Sequence, residues 1–353
     1  MVDPVRKAVA LLSGGLDSLL AARVILDQGI QVEAINFYTG FCVEGHTHAI
    51  RRQDAKRPKR NNALWAAEQL GIPLHFLDVA EPYKEIVLHP KHGYGANLNP
   101  CLDCKGFMVK HAVAWMEQQG FDFIITGEVI GQRPMSQRKN MLPVIARESG
   151  AGDRLLRPLC ARNLPITLPE REGWVDRSRL HGFNGRSRKP QMALAAHYGL
   201  KDYAQPAGGC CFLTDANYSA KLADLWQHRG RRDYDLDDIL LLKVGRHLRP
   251  LPHIKLIVGR EEGENNFLEG YRKQFFHLRP LSHPGPLVLV DAPSLTPEER
   301  VLVARLAARF SQGRQDDQVR LALFDPLGSC EEMNVSPLAP GDIPVEWYIA
   351  NGT

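Results

Sequence analysis

The chain has 353 residues, 44% of them hydrophobic and 24% charged, a balance that excludes intrinsic disorder and a length beyond one average domain of about 100 to 200 residues. No apolar run approaches the ~20 residues of a membrane-spanning helix, and the first twelve residues, broken by Pro4, Arg6 and Lys7, lack the apolar core of a secretory signal. The expectation is a cytoplasmic globular protein with no membrane partner. The formal net charge of +4, from 44 basic and 40 acidic residues, decides little by itself, but the basic residues gather in three places. These are Arg51, Arg52, Lys56, Arg57, Lys59 and Arg60; then Arg177, Arg179, Arg186, Arg188 and Lys189; then Arg229, Arg231 and Arg232. Any one of them reads as a solvated loop, whereas three together suit a polyanion such as RNA.

Residues 8–12 form an apolar strand-like run, followed by a glycine turn and a helical pattern over 19–26 that closes at Gly29. Strand patterns at 32–37, 73–79 and 123–126 alternate with helical ones at 61–70, stopped by Gly71, and at 106–119. That alternation predicts an α/β fold, a parallel sheet with helices on both faces. Residues 155–209 are rich in Arg, Pro and Gly, hold one helix at 189–198, and read as an irregular extension of the first domain. A second, smaller α/β pattern starts near Asp235. It has apolar strand-like runs at 239–244, 254–258, 287–290 and 319–324 and a helix at 297–310 capped by Thr296. The boundary falls within 225–235, giving domains 1–230 and 231–353, with an extended tail after Pro337.

The turn between the first strand and helix reads Ser13-Gly14-Gly15-Leu16-Asp17-Ser18. Glycines let backbone NH groups approach a phosphate, the helix behind adds its positive end, and Ser13 and Ser18 supply hydroxyls. Asp17 is an acid suited to Mg²⁺ or to orienting reacting groups. The run lacks the Gly-Lys-Ser/Thr ending of the Walker loop and the spacing of the dinucleotide fingerprint. It resembles the signature Ser-Gly-Gly-x-Asp-Ser of the PP-loop ATP pyrophosphatases, which it matches at every fixed position. That resemblance implies cleavage of ATP between its α and β phosphates, adenylation of a carbonyl or carboxyl oxygen, and displacement of AMP by a nucleophile.

A second segment, Thr126-Gly127-Glu128-Val129-Ile130-Gly131-Gln132, ends a predicted strand, where ligands collect in open α/β sheets. With Ser136, Gln137 and the later Leu156-Arg157-Pro158-Leu159, it is similar to the corresponding stretch of the 4-thiouridine-forming tRNA sulfurtransferases. By that resemblance Gly127 and Gln132 lie near the nucleotide; the basic side chains of Lys105 and Arg133 are separate candidates for stabilising phosphate charge.

Cys101-Leu102-Asp103-Cys104 places two of the seven cysteines three apart at the start of a helix, where converging sulfurs and the helix end favour thiolate. Cys210 and Cys211 follow Gly208 and Gly209 far downstream. The residues alone leave open a zinc site on these four, a disulfide or persulfide relay between Cys104 and Cys211, inert packing, or an iron–sulfur cluster. Inert packing is the reading for Cys42, Cys160 and Cys330, which have no cysteine neighbours.

The pattern of Cys-x-x-Cys plus one distant Cys is similar to that of the PP-loop tRNA thiolases that carry a 4Fe-4S cluster. Gly209-Cys210-Cys211-Phe212 also resembles the reactive-cysteine phrase of the 2-thiouridine enzymes, which selects Cys211 over Cys210. Val244-Gly245-Arg246, Val258-Gly259-Arg260, Asn265, Asn266 and Phe267 are similar to the RNA-binding domain of the NFACT proteins. The resemblances together imply an ATP- and Mg²⁺-dependent tRNA sulfurtransferase making 4-thiouridine at position 8, with 2-thiouridine synthesis by a cysteine relay and a small-metabolite ligase as alternatives. They imply Asp17, Cys101, Cys104 and Cys211 as catalytic residues, with Cys210 a further cluster ligand. Ser13, Gly14, Gly15, Asp17, Ser18, Gly127 and Gln132 would line the nucleotide. The implied partners are tRNA, sulfide or a cysteine desulfurase-derived donor, and a second copy of the chain in a homodimer.

Overall fold

The computed structural model describes residues 5–43, 60–204 and 210–350. The basic residues from Arg51 to Lys59, and Gly208 and Gly209, lie outside the described residues. The chain divides into two compact units that meet in sequence between Cys210 and Cys211.

The first unit starts with β1 (Lys7–Leu11), α1 (Leu16–Leu26), β2 (Gln31–Tyr38), α2 (Asn62–Leu70), β3 (Leu74–Asp78), α3 (Ala80–Leu88), α4 (Cys101–Gln119) and β4 (Phe123–Ile125). It continues through α5 (Met141–Glu148), β5 (Leu155–Leu156), α6 (Leu168–Arg171) and α7 (Lys189–His197). The strands form one five-stranded sheet in the order β3-β2-β1-β4-β5, every pair parallel, as the alternating pattern predicts. Alternation along β1 assigns the two faces: Ala8 and Ala10 pack with Leu19, Leu20 and Ile25 of α1, whereas Val9 packs with Leu102, Val109 and Met116 of α4. Burial on both faces explains why this strand reads as a continuous apolar run. The ends of α2 follow from its sequence: Asn61 Oδ1 accepts from the Leu64 NH at 3.0 Å, and Gly71 takes φ 66°, the left-handed conformation that closes a helix.

The second unit holds α8 (Ala216–Arg229), α9 (Leu236–Leu241), β6 (Arg246–Leu251), β7 (Ile254–Val258), α10 (Glu262–Glu269), β8 (Phe276–Pro280) and β9 (Val288–Asp291). It ends with α11 (Pro297–Arg309), β10 (Val319–Phe324) and β11 (Cys330–Val335). Its sheet runs β11-β10-β8-β9-β7-β6 with every pair antiparallel. The apolar face of α11, including Val303, Leu306 and Ala307, packs on Leu256, Leu278, Val290 and Leu321. Two expectations change here. Residues 239–244 are not a strand, because Asp235 and Asp238 form a reciprocal capping box that starts α9. The tail after Pro337 is not simply extended: it makes short 3-10 turns at Pro340–Asp342 and Val345–Trp347, and Tyr348 bridges to Leu248. Among the described residues no helix is long and apolar enough to cross a membrane.

Candidate functional site

In the first unit the chain steps outward from β1 through β2 to β3, then returns to place β4 on the other side of β1. In open α/β sheets such a reversal marks the carboxyl ends of the flanking strands, here β1 and β4, as the usual ligand position. The turn at residues 13–18 leaves β1 at this point. Gly14 has φ 77°, and a Cβ there would stand 2.5 Å from the Asn62 carbonyl carbon and the Ala63 nitrogen. The first turn of α2 therefore lies against the loop, and the amino ends of α1 and α2 both bring positive helix ends to it. Ser18 Oγ donates to the Gly15 carbonyl at 2.9 Å and accepts from the Ser13 NH at 3.3 Å, so the loop is closed on itself.

Asp17 is the most heavily engaged side chain of the loop. Its Oδ2 accepts from Gln132 Nε2 at 2.6 Å and from Arg188 Nη2 at 3.0 Å, while its Oδ1 is buried with no hydrogen-bond partner. Gln191, at the start of α7, donates to Gln132 Oε1 at 2.9 Å. Gln132 thus reaches the Asp17 carboxylate, and Gly127 lies against the Asp17 and Ser18 backbone. Arg188 and Gln191 were not singled out as site residues by sequence reasoning, since 171 positions separate Arg188 from Asp17 and only the fold unites them.

The 126–137 segment also reaches the cysteines. Cys101, the first residue of α4, donates to Ser136 Oγ at 3.4 Å. Glu128 is buried, ion-paired to Arg157 at 2.8 Å, bonded by Thr126 Oγ1 at 3.0 Å, and faced by Lys105 Nζ at 4.0 Å. Burial pushes its carboxyl up, but the Arg157 and Lys105 charges outweigh that and hold it below the usual range. Lys105 thus faces a protein carboxylate without a hydrogen bond to it, and Arg133 is exposed on the segment's surface.

Cys104 departs from its expected state. Burial, followed by the neighbouring Cys210, pushes its thiol up to about 12, and the Tyr83 hydroxyl contact and Lys105 offset only part of this. Desolvation thus works against the helix end, which by itself favours the thiolate. The electrostatic neighbours of Cys104 are Cys101 and Cys210, both in the first unit, whereas Cys211 begins the second unit as the cap of a 3-10 turn over Phe212–Thr214. Among the described residues, no group of three or more His, Cys, Asp or Glu side chains is gathered to hold a metal ion. Of the cysteines read as inert, Cys160 is fully buried with Sγ donating to the Glu128 carbonyl at 3.2 Å, and Cys42 lies 3.5 Å from Thr39 Oγ1. Cys330 is exposed on β11, so packing does not explain it.

The parallel sheet with a serine–glycine turn at its switch point defines the first unit as an α/β domain of the PP-loop, or HUP, class. Comparison with known families agrees: residues 6–147 match the tRNA methyl transferase HUP domain, and residues 245–348 match the NFACT protein RNA binding domain. The chain is 27% identical over 248 residues to the tRNA-specific 2-thiouridylase MnmA of Tropheryma whipplei (strain Twist), covering 66% of this chain and 61% of that protein. A second relative of the same name, from Rippkaea orientalis, is 26% identical over 325 residues, covering 88% and 78%. The chain thus spans about three-fifths of the T. whipplei relative's length. A solved 4-thiouridine synthetase–RNA complex with bound ATP is 26% identical over 44% of this chain and 38% of that one, at a TM-score of 0.33. The chain therefore carries, in order, a stretch similar to the tRNA methyl transferase HUP domain and a stretch similar to the NFACT protein RNA binding domain.

Proposed function

We propose that this protein is an ATP-dependent tRNA uridine thiolase, with functional modules at 1–230 and 231–353. The observation that carries this reading is that one segment, 126–137, touches both the turn at residues 13–18 and Cys101. Gly127 and Gln132 pack on the nucleotide loop, and Ser136 holds Cys101. An activating site and a sulfur site must lie this close if a uridine adenylated at one is to be attacked at the other.

Ser13, Gly14, Gly15 and Ser18 bind the phosphates through backbone and hydroxyl donors. The unpartnered, buried Oδ1 of Asp17 suits the hard cation that accompanies ATP, and Mg²⁺ there would neutralise charge developing as pyrophosphate departs. The uridine carbonyl oxygen attacks the α phosphate, and a sulfur nucleophile then displaces AMP. Cys101, Cys104, Cys210 and Cys211 are the sulfur-handling set. We favour thiol chemistry over a cluster because, among the described residues, no group of three or more His, Cys, Asp or Glu side chains is gathered for metal. The 2-thiouridylase relatives favour attack at C2, rather than the C4 expected from the 126–132 segment. The NFACT-type domain supports tRNA as the partner.

The test is nucleoside mass spectrometry of unmodified tRNA after incubation with the protein, ATP, Mg²⁺ and sulfide. ATP-dependent 2-thiouridine is the expected product. 4-Thiouridine would move the attack to C4, and no thionucleoside despite ATP and tRNA binding would overturn the proposal.

A further inference from the structure

Three buried polar atoms without partners converge on the nucleotide loop: Asp17 Oδ1, Arg188 Nε and Gln191 Oε1. They sit at the ends of one hydrogen-bonded chain, Gln191 to Gln132 to Asp17, closed by Arg188 on the same Asp17 oxygen. Gln191 is fully buried, and the side chains of Asp17 and Arg188 retain 16% and 24% exposure, so the pair faces a partly open space. A buried N–H and a buried carboxylate oxygen left bare side by side are costly unless something else completes them. Their chemistry is complementary: the guanidinium Nε–H lacks an anion, and the carboxylate Oδ1 lacks a cation. An anion that arrives with a divalent cation supplies both.

We propose that Arg188 is a phosphate ligand of the nucleotide site, held by Asp17 until Mg²⁺-ATP binds and then exchanging the carboxylate for a phosphate oxygen. Three features support the exchange. Arg188 caps α7, so a third helix amino end points at the same space. Its planar fork can present Nε and Nη2 together to one phosphate, whereas on Asp17 it uses Nη2 alone. Without Arg188, Asp17 would add negative charge opposite a polyanion, and the ion pair removes that repulsion until the cation takes over. Gln132 and Gln191 position the carboxylate by fixing one of its oxygens and leaving the other bare. The inference rests on the nucleotide site of the proposed function and adds a residue to it.

The test is calorimetric titration of the full chain with α,β-methylene-ATP in Mg²⁺ and, separately, with adenosine. Arg188→Met should weaken the triphosphate analogue by about ten-fold or more while leaving adenosine affinity unchanged, and Arg188→Lys should restore part of the loss. Repeating Arg188→Met in an Asp17→Asn background separates a ligand from a mere clamp. A direct phosphate ligand still weakens the analogue there by a similar factor, and a residue that only holds Asp17 has no further effect. Equal analogue affinities with and without Arg188, a parallel fall for adenosine, or no effect in the Asp17→Asn background would each overturn the inference alone. Failure of the unaltered protein to bind the analogue at all would overturn the nucleotide site itself.

Discussion

Gly127 lies directly against Asp17: a Cβ at Gly127 would stand 2.5 Å from the Asp17 carbonyl carbon and 2.6 Å from its oxygen. The contact is backbone on backbone, so no side-chain rotation relieves it, and the nucleotide loop and the end of β4 are locked in a spacing only glycine allows. Gly127→Ala should force them apart, at about 1–3 kcal/mol of strain. Nucleotide titration is expected to show at least a ten-fold loss of ATP affinity, with far-UV circular dichroism retained. Undiminished affinity would mean that the loop is not where the triphosphate binds.

The ion pair behind this contact is a second point of vulnerability. Glu128 and Arg157 are 2% and 5% exposed and 2.8 Å apart, and Arg157 also donates to the Leu142 carbonyl at 3.1 Å. Glu128→Gln leaves a buried guanidinium without its counter-charge and should cost about 3–5 kcal/mol in denaturant unfolding of the full chain. Because the Glu128 carboxyl is held below its ordinary value of 4.5, its contribution is present above that pH and lost as pH falls through the lower folded value. The unaltered protein should therefore lose stability more steeply below about pH 4.5 than the Gln variant does.

The parallel sheet was legible because β1, β2 and β4 are apolar runs punctuated by turn residues, and α11 because Thr296, Pro297 and Glu299 write its capping box into adjacent positions. Residues 239–244 misled for a physical reason: Ile239, Leu240, Leu241 and Leu242 form a short apolar run with no periodicity to decide helix from strand, and the decisive Asp235 cap lies outside it. In the site, the 126–132 motif points to Gly127 and Gln132, which the fold sets against Asp17. The Arg188–Asp17 pair could not be placed by motif, since its members sit in separate motifs joined only by tertiary packing. The state of Cys104 was also hidden: sequence shows a helix start that favours thiolate, whereas burial, visible only in the fold, pushes the thiol the other way.

His247 gives the second unit its own acid sensitivity. It is 2% exposed, with one ring nitrogen 2.9 Å from the Val244 carbonyl and the other buried without a partner. Burial first, then the Lys221 and Lys255 charges, holds its folded pKa well below the ordinary 6.5. The folded state then refuses a proton that the unfolded state accepts, so stability is full above pH 6.5 and falls as pH drops below it, by up to about 1.4 kcal/mol per pH unit. Between pH 7.5 and 5.5 the urea midpoint of the second unit's transition should fall more in the unaltered protein than in His247→Gln. Equal falls would show that His247 already carries its charge in the fold.

Cysteine reactivity tests the electrostatic description of the sulfur site without any assumption about its substrate. Alkylation proceeds through thiolate, so its rate at pH 8 follows the fraction ionised and the access to it. Burial pushes both Cys104 and Cys160 from the ordinary 9.0 up to about 12, whereas Cys330 is exposed. Three pH units correspond to about 1000-fold less thiolate, before restricted access slows the reaction further. Peptide mass mapping of a brief iodoacetamide pulse should find Cys330 modified and Cys104 and Cys160 almost untouched. Since Cys210 contributes to the upward push on Cys104, Cys210→Ser should speed Cys104 labelling while leaving Cys160 unchanged. Rapid labelling of Cys104 in the unaltered protein would mean that the helix amino end outweighs burial there, and the thiol would then rest as the nucleophile that its sequence position suggests.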